Sequence, residues 1–289
     1  PKYRLLEPQF RGPFSGDIVF KNLSFFYPTF SETEAYILQK VIIKNKQHAD
    51  KKEHWRFDSD EVKGWETMLE EGVKEPKKVL SQVNMVWKKG GITALVGRNG
   101  AGKTTCTKLV LKNYSPSKGA VWFGNTNLDY VDPGLMRNHI SIITQEPVFL
   151  ESFSLRENLL LGVTKKITND QIEKVLRRLR VFDVVERSDK GLHAVIGDDL
   201  LCSAGQIQLF TIARALFQDR PVLIFDEGTN QLDPEHESII IKILQEEKKR
   251  GKTVCIISHK ITTAAKADYI YVLDKCGITE EGGHEPQRS

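Results

Sequence analysis

The sequence predicts an α/β fold built around a mostly parallel sheet, and three observations support this. Short apolar runs at residues 140–143, 222–225, 254–257 and 270–273 lack the alternation of half-exposed strands. Segments with helical spacing of apolar residues lie between most of these runs, for example from Ile172 to Phe182. A glycine-rich segment follows a further apolar strand at residues 92–96. Strands that are apolar on both faces are typical of a parallel sheet covered by helices.

Composition and charge exclude several classes of protein. The chain has 289 residues, of which 40% are hydrophobic and 28% charged, which excludes disordered, collagen-like and coiled-coil chains. No run approaches the roughly 18 apolar residues of a membrane helix, so we expect that this chain does not cross a bilayer by itself. A net charge of +4 gives no argument for a nucleic-acid partner, and we expect none. The four cysteines form no C-x-x-C pair, which fits a reducing compartment rather than a zinc site or disulfide framework.

The amino-acid composition changes twice along the N-terminal third of the chain. Residues 1–15 contain three prolines and are predicted to be an entry linker, so the domain begins near residue 16. Residues 18–20 and 23–27 predict two short strands on either side of residues 21–22. Residues 31–78 then hold 10 Lys/Arg and 11 Asp/Glu among 48 residues, which predicts a charged insertion. It is either partly helical, over residues 58–71, or partly disordered, and either a docking element or a solvated decoration.

The glycine-rich segment is a phosphate-binding motif. Residues 97–104 read G-R-N-G-A-G-K-T and fit G-x-x-x-x-G-K-[ST] between an apolar strand and a helical stretch at 104–112. Glycines let successive amides face a polyphosphate, Lys103 adds positive charge, and the Thr104 hydroxyl is placed to hold Mg²⁺. The nucleotide-binding residues predicted here are Gly97, Arg98, Asn99, Gly100, Ala101, Gly102, Lys103, Thr104 and Thr105.

A pair of acids ends the apolar run at residues 222–225. A carboxylate at a strand tip, here Asp226, can hold Mg²⁺, and the next one, Glu227, can polarise an attacking water. A phosphate-binding loop is shared by kinases, GTPases and ATPases, so its companions decide the function.

Two further segments complete a recognisable set. Residues 200–208 read L-L-C-S-A-G-Q-I-Q and residues 256–259 read I-I-S-H. With the phosphate loop and the acid pair, they resemble the nucleotide-binding domain of ATP-binding cassette (ABC) proteins over residues 14–284, the insertion excepted. The resemblance implies a P-loop NTPase (RecA-like) core with a mostly parallel sheet. It also implies an N-terminal antiparallel β subdomain and an α-helical signature subdomain at 145–219, within a domain at 16–289.

The resemblance also implies residue roles. Tyr27 would stack on adenine, although a tyrosine in a core or edge strand explains it too. Gln145 would reach Mg²⁺ and the attacking water, and Asp226 would hold Mg²⁺. Glu227 would be the general base, and His259 would contact the γ-phosphate. Lys103 completes this predicted catalytic group.

The signature segment departs from the family pattern. The family usually reads L-S-G-G-Q, where residues 202–206 here read C-S-A-G-Q. Ser203, Gly205 and Gln206 keep the residues that bind nucleotide across a dimer interface. If Ala204 needs a positive φ, alanine costs on the order of 1 kcal/mol there. Leu209 replaces a residue that is usually basic, so we expect slower hydrolysis rather than none.

A dimer is implied because in this family the signature helix lies too far from its own phosphate loop. Ser203 would therefore serve the ATP site of a second nucleotide-binding domain, identical or not, and Asp233 matches the loop that meets that partner. ATP would hold the two domains together, and hydrolysis would release them.

Three longer stretches, at residues 16–25, 147–159 and 267–285, resemble exporter-type ABC domains. The resemblance then implies a Mg²⁺-dependent ATPase that drives a transmembrane domain at the cytoplasmic face of a membrane, with residues 1–15 as the linker to that membrane domain. One alternative is a regulatory ATP-binding module with little hydrolysis. Another is a soluble ABC protein of DNA repair or translation, which needs a coiled coil or a second cassette that this sequence lacks.

Overall fold

The computed structural model describes residues 14–27, 78–228, 232–259 and 261–283. The chain divides into one unit of residues 1–24 and 80–289 and a second of residues 25–79. The second unit is described only at residues 25–27 and 78–79. The predicted insertion at 31–78 therefore lies outside the described residues except for Lys78, and so does the predicted linker except for residues 14 and 15.

Strands and helices alternate along most of the first unit. The strands are β1 (Ile18–Phe26), β2 (Lys78–Trp87), β3 (Ile92–Gly97), β4 (Lys118–Phe123), β5 (Thr126–Asn127), β6 (Ile140–Ile143), β7 (Val222–Asp226), β8 (Thr253–Ile257), β9 (Tyr269–Asp274) and β10 (Gly277–Gly283). The helices are α1 (Lys103–Val110), α2 (Pro133–Arg137), α3 (Leu155–Leu159), α4 (Asn169–Arg178), α5 (Phe182–Glu186), α6 (Ala204–Gln218), α7 (Pro234–Lys249) and α8 (Ile261–Ala264). Short 3₁₀ turns lie at Leu128–Tyr130 and Gly191–His193.

The larger sheet has six strands in the order β10-β9-β3-β8-β7-β6. Neighbouring strands from β9 to β6 are parallel, as the unbroken apolar runs predict. Every residue of β7 and β8 is buried, so these central strands are covered on both faces. Only β10 runs antiparallel, after a two-residue turn at Lys275 and Cys276, which both have positive φ. The predicted mostly parallel sheet is confirmed.

The smaller sheet has the order β2-β1-β4-β5, in which β1 pairs antiparallel with β4 and β4 with β5. The prediction of two short strands near the N-terminus is wrong, because β1 continues through residues 21–22. Asn22 takes a left-handed φ of 46°, and the β1–β4 register shifts between Lys21 and Ser24. The Asn22 amide donates to Oδ1 of Asn84 at 2.9 Å, so a bulge replaces the predicted break.

Helix α6 packs against β6 and carries much of the apolar core. Its core residues include Leu209, Phe210, Ile212 and Ala213, each no more than 2% exposed. A capping box begins the helix: the Ser203 hydroxyl accepts from the Gln206 amide, and the Gln206 side chain accepts from the Ser203 amide. The helix ends at Asp219, which is left-handed with φ 50°.

Asp219 joins the end of α6 to the beginning of β8 through charge. Its carboxylate accepts from Lys252 at 2.8 Å, Lys165 at 2.9 Å and Arg250 at 3.1 Å. Burial raises the pKa of the Asp219 carboxyl, but hydrogen bonds from Lys252 and Lys165 outweigh burial and lower the pKa to about 2. Lys252 also pairs with Glu247 near the end of α7, and both side chains are buried.

Replacing Asp219 by Asn tests this network, because Asn also tolerates a left-handed backbone and the change removes mainly the charge. We expect Asp219→Asn to lower the free energy of unfolding by about 1 kcal/mol at pH 7. A carboxyl whose pKa falls from 3.8 to about 2 on folding stabilises the folded state at pH values above 3.8. This contribution to the free energy of unfolding is lost as the pH falls through about 2. Urea unfolding at pH 7, 4 and 3 should therefore show a shrinking difference from the parent. Asp198→Asn, at an exposed carboxylate, is the control, and an equal loss there would contradict the assignment.

Candidate functional site

Four parallel strands bring most of the predicted site residues to one edge of the larger sheet. In the order β3-β8-β7-β6, the carboxyl ends of these strands lie side by side. The residues that follow these ends are the phosphate-loop residues 97–104 after β3, His259 after β8, Asp226 and Glu227 at β7, and Gln145 after β6. This edge is where open α/β sheets bind ligands.

The phosphate loop needs its glycines for two different reasons. Gly97 has φ 149°, and a Cβ there would lie 2.1 Å from the carbonyl oxygen of Leu273 on β9. Gly100 has φ 80° and open space around it, so only its backbone conformation demands glycine. Gly102, at φ 100°, is the N-cap of α1 and provides no side-chain cap. The N-terminus of α1 therefore has no side-chain cap, and helix N-termini next to glycine-rich loops are common anion-binding sites.

Lys103 arches back over the loop. Its side chain is 5% exposed, and Nζ donates to the carbonyl oxygens of Gly97 at 2.9 Å and Arg98 at 3.0 Å. Arg98, Asn99 and Gly100 at the tip of the loop are exposed. The loop therefore offers a cation and glycine backbone to an anion arriving from solvent, and it fits a polyphosphate.

Thr104 and Asp226 form a pair of oxygen ligands beside the loop. The Thr104 hydroxyl donates to Oδ1 of Asp226 at 3.4 Å. Burial raises the pKa of the Asp226 carboxyl, and the Thr104 hydroxyl offsets part of this increase. A hydroxyl and a carboxylate are hard oxygen donors of the kind that Mg²⁺ accepts, so the residues present fit this ion.

Glu227 and His259 face each other at the same edge. Oε1 of Glu227 lies 3.8 Å from Nδ1 of His259, beyond hydrogen-bond distance but close enough for an ionic attraction when the imidazole is protonated. Glu227 has φ 53°, and its amide donates to Ile257 at 2.9 Å. A left-handed glutamate is a strained conformation of the sort that occurs at functional sites.

Gln145 is exposed, two residues beyond the end of β6. The carbonyl oxygen of the preceding residue, Thr144, accepts from Nε2 of Gln208 at 3.1 Å. The sequence analysis missed Gln208. The signal that could have identified it is a polar residue on the buried face of a largely apolar helix, where it is 1% exposed.

A second contact that the sequence analysis missed fixes the segment after Gln145. Arg214 donates to the carbonyl oxygens of Val148 and Asn158, both at 2.8 Å, and its guanidinium lies 4.5 Å from the centre of the Phe149 ring. The buried Asn158 side chain donates to and accepts from the backbone of Leu150. Helix α6 thus contacts the chain on both sides of Gln145.

The signature residues Ser203, Gly205 and Gln206 lie at the N-terminus of α6 rather than at a strand end. Gln206 uses its Oε1 to accept from the Ser203 amide at 2.8 Å, which leaves its side-chain NH₂ group for a ligand. Ala204 is the first helical residue and does not have positive φ. Alanine therefore causes no strain of the backbone at this position, because the strain would require a positive φ. Leu209 is buried in the core.

The remaining predicted residues fall in three places. Ala101 within the phosphate loop and Thr105 in the first turn of α1 are both buried. Asp233 is the N-cap of α7 and accepts from the His236 amide at 2.8 Å. Tyr27 belongs to the unit of residues 25–79, where its ring packs edge-on against Phe25 at 5.0 Å.

Comparison with known proteins gives a consistent result. The family model described as ABC transporter matches residues 80–230. The chain is 36% identical over 211 residues to a sophorolipid transporter of Starmerella bombicola, covering 72% of this chain and 16% of that protein. It is 34% identical over 209 residues to an ATP-dependent lipid A-core flippase of Francisella novicida, covering 72% and 35%. An exotoxin translocation ATP-binding protein of Pasteurella aerogenes is 36% identical over 207 residues, covering 71% and 29%.

A solved structure supports the fold. A bacterial Atm1-family ABC exporter with ATP bound aligns with a TM-score of 0.71 at 22% identity, covering 93% of this chain and 39% of that chain. At this identity the likeness concerns the fold. The chain spans between 16% and 35% of the length of the three relatives above.

The loop geometry predicts different costs for two glycine substitutions. Gly97→Ala would place Cβ against a backbone oxygen of β9 as well as straining φ, so we expect it to lower the free energy of unfolding by more than about 3 kcal/mol. Gly100→Ala has only the backbone penalty, about 1 kcal/mol, and is the matched control. Urea unfolding measures both. Equal losses would contradict the close approach of β3 and β9 at Gly97.

Proposed function

We propose that this chain, which belongs to the ABC transporter family, is the ATP-binding and ATP-hydrolysing motor domain of an exporter. The single observation that carries this proposal is the position of Asp226 and Glu227 at the sheet edge that bears the phosphate loop. The exporter assignment draws on the printed functions of the relatives, which include a flippase and a toxin translocation protein.

ATP binding is a property of the ABC transporter domain that this chain contains. We assign the polyphosphate to residues 97–105, with Lys103 as the buried cation. For Tyr27, stacking on adenine remains our proposal. Ser203, Gly205 and Gln206 are assigned to the nucleotide of a partner domain, and the Ser203 hydroxyl supports this, because the proton of a capping oxygen is still available for donation.

Thr104 and Asp226 are the residues that would hold Mg²⁺, with Gln145 as a further oxygen donor. Bound Mg²⁺ would neutralise charge on the phosphates. Thr104 is exposed and Asp226 is 6% exposed, so one ligand faces solvent and the other is held in the protein. The hydrogen bond between them keeps the two oxygens 3.4 Å apart.

Glu227 is our candidate for the general base that orients and deprotonates the attacking water. Its backbone is left-handed, and the hydrogen bond from its backbone amide to the Ile257 carbonyl oxygen holds the residue at the edge. His259, half exposed and 3.8 Å away, is assigned to the γ-phosphate. Lys103 and His259 would then compensate the charge that develops on the phosphate in the transition state.

The larger assembly is also part of the proposal. We propose that two such domains, identical or different, close on ATP and act on a transmembrane domain at the cytoplasmic face of a membrane, with residues 1–15 as the linker. The domain proper is residues 16–289, with an insertion at 31–78 and the signature subdomain at 145–219. No helix in the described ranges has the length and apolar character needed to cross a membrane.

Removing the charge of Glu227 tests its role as the general base. We expect Glu227→Gln to lower kcat for Mg²⁺-dependent phosphate release at least about 100-fold, because the amide cannot accept the proton of the attacking water. The affinity for a fluorescent ATP analogue should stay within about threefold of the parent. Glu280→Gln, an exposed carboxylate on β10, is the control and should leave both quantities unchanged.

The protein concentration in the same assay tests the dimer. Turnover that rises with the square of protein concentration below saturation supports two chains per active unit. Bound ATP without turnover in the parent at any concentration would contradict the motor function.

The signature alanine gives a second prediction. Because Ala204 has a helical backbone conformation and an exposed methyl group, we expect Ala204→Gly to change kcat by less than about threefold. A regulatory module disabled by its signature would instead gain turnover of tenfold or more from this change. Steady-state phosphate release at saturating ATP decides between them, with Ser203→Ala as the comparison that removes the proposed phosphate ligand.

A further inference from the structure

Gln208 is a buried polar residue in which one of the two hydrogen-bonding groups of the side chain lacks a partner within the described ranges. Its side chain is 1% exposed on the second turn of α6. Nε2 donates to the carbonyl oxygen of Thr144, while Oε1 is buried and has no donor within the described ranges. A buried carbonyl without a partner destabilises a fold, so the stability of the core does not explain why this residue is glutamine.

The Gln208 amide lies between the two segments that carry the proposed catalytic residues. On one side is Thr144, which directly precedes Gln145. On the other is Gly228, which directly follows Glu227, and a Cβ on Gly228 would come within 3.0 Å of Nε2. The same Cβ would lie 2.9 Å from Ile143 and from Phe225, so the glycine is what lets the amide reach this position.

Arg214, two turns further along α6, holds the other end of the Gln145 segment through the carbonyl oxygen of Val148. Residues 144–148 are thus attached to one helix at both ends, with Gln145 exposed between the attachments. A displacement of α6 displaces both ends together.

We propose that Gln208 is a positioning residue, which couples the position of the signature helix to Gln145 and to the turn after Glu227. It acts through the Thr144 carbonyl and through its position against Gly228. The inference rests on the proposed ATPase function for its kinetic consequence, but its structural consequence can be measured without hydrolysis.

Gln208→Met is the test variant, because methionine keeps the length of the side chain, removes both hydrogen-bonding groups and suits the apolar Ile143 and Phe225 nearby. Thr211→Val is the matched control. Thr211 lies on the same helix, is 6% exposed, and its hydroxyl donates within the helix to Ile207. Both variants lose a buried hydrogen bond of α6, but only Gln208→Met loses the bond to Thr144.

The kinetic arm uses the full protein. We expect Gln208→Met to lower kcat at least about tenfold with the affinity for a fluorescent ATP analogue within about twofold of the parent, and Thr211→Val to change neither. In a Gln145→Ala background the further loss from Gln208→Met should be clearly smaller than in the parent, because the part of the effect that acts through Thr144 and Gln145 is already lost. Unchanged kcat, or losses that multiply in full, would overturn the proposal.

The structural arm uses hydrogen exchange in the protein without nucleotide. The Glu227 amide, which is bonded to Ile257, should exchange at least about fivefold faster in Gln208→Met than in Thr211→Val. An equal rate overturns the positioning role whether or not the protein hydrolyses ATP. If the parent shows no turnover, the proposed function fails, and this arm alone decides the role of Gln208. Gln208→Leu repeats both arms if Gln208→Met lowers the midpoint of thermal unfolding.

Discussion

The parallel register of β3, β8, β7 and β6 is the constraint on which the candidate site depends. Parallel strands need crossover connections, and each crossover here delivers another polar segment to the same edge. Lys103, Gln145, Glu227 and His259 are far apart in sequence and come to the same edge of the sheet because the carboxyl ends of the preceding strands are aligned. A one-residue slip would turn the side chains of a strand to the opposite face and would displace the polar residues that follow its end.

Burial of charge explains how this edge is prepared for a ligand. Lys103 and Asp226 are 5% and 6% exposed, and charged groups are costly at such burial unless they are bonded. Lys103 is held by two loop carbonyls, and Asp226 by one hydroxyl at 3.4 Å. The carboxylate is the less well satisfied of the two, since burial raises its pKa. A divalent cation next to Asp226 and a polyphosphate next to Lys103 would each compensate a charge that the fold has already partly desolvated.

Local patterns in the sequence predicted the parallel strands and the phosphate loop, because a glycine-rich turn and an apolar strand are properties of neighbouring residues. The bulge in β1 was not predictable in this way, since Asn22 takes its left-handed conformation against Asn84, 62 residues away. Strands β4 and β5 were not predicted at all. Gln208 was missed because its partner, Thr144, is 64 residues away. The roles assigned to Tyr27 and to the signature residues remain predictions, because the signature residues lie at a helix end rather than at a strand end and Tyr27 belongs to the unit of residues 25–79.

Helix α6 connects these features, since each part of it has a different structural task. Its C-terminal end is fixed by the ion pairs of Asp219, and its centre is part of the apolar core. Its N-terminal end is capped only by its own residues, Ser203 and Gln206, beside Leu201, which is 87% exposed. A displacement of the exposed end would also move the residues of α6 that contact other segments. Among those residues are Gln208 and Arg214, which hold the segment of Gln145 at Thr144 and at Val148.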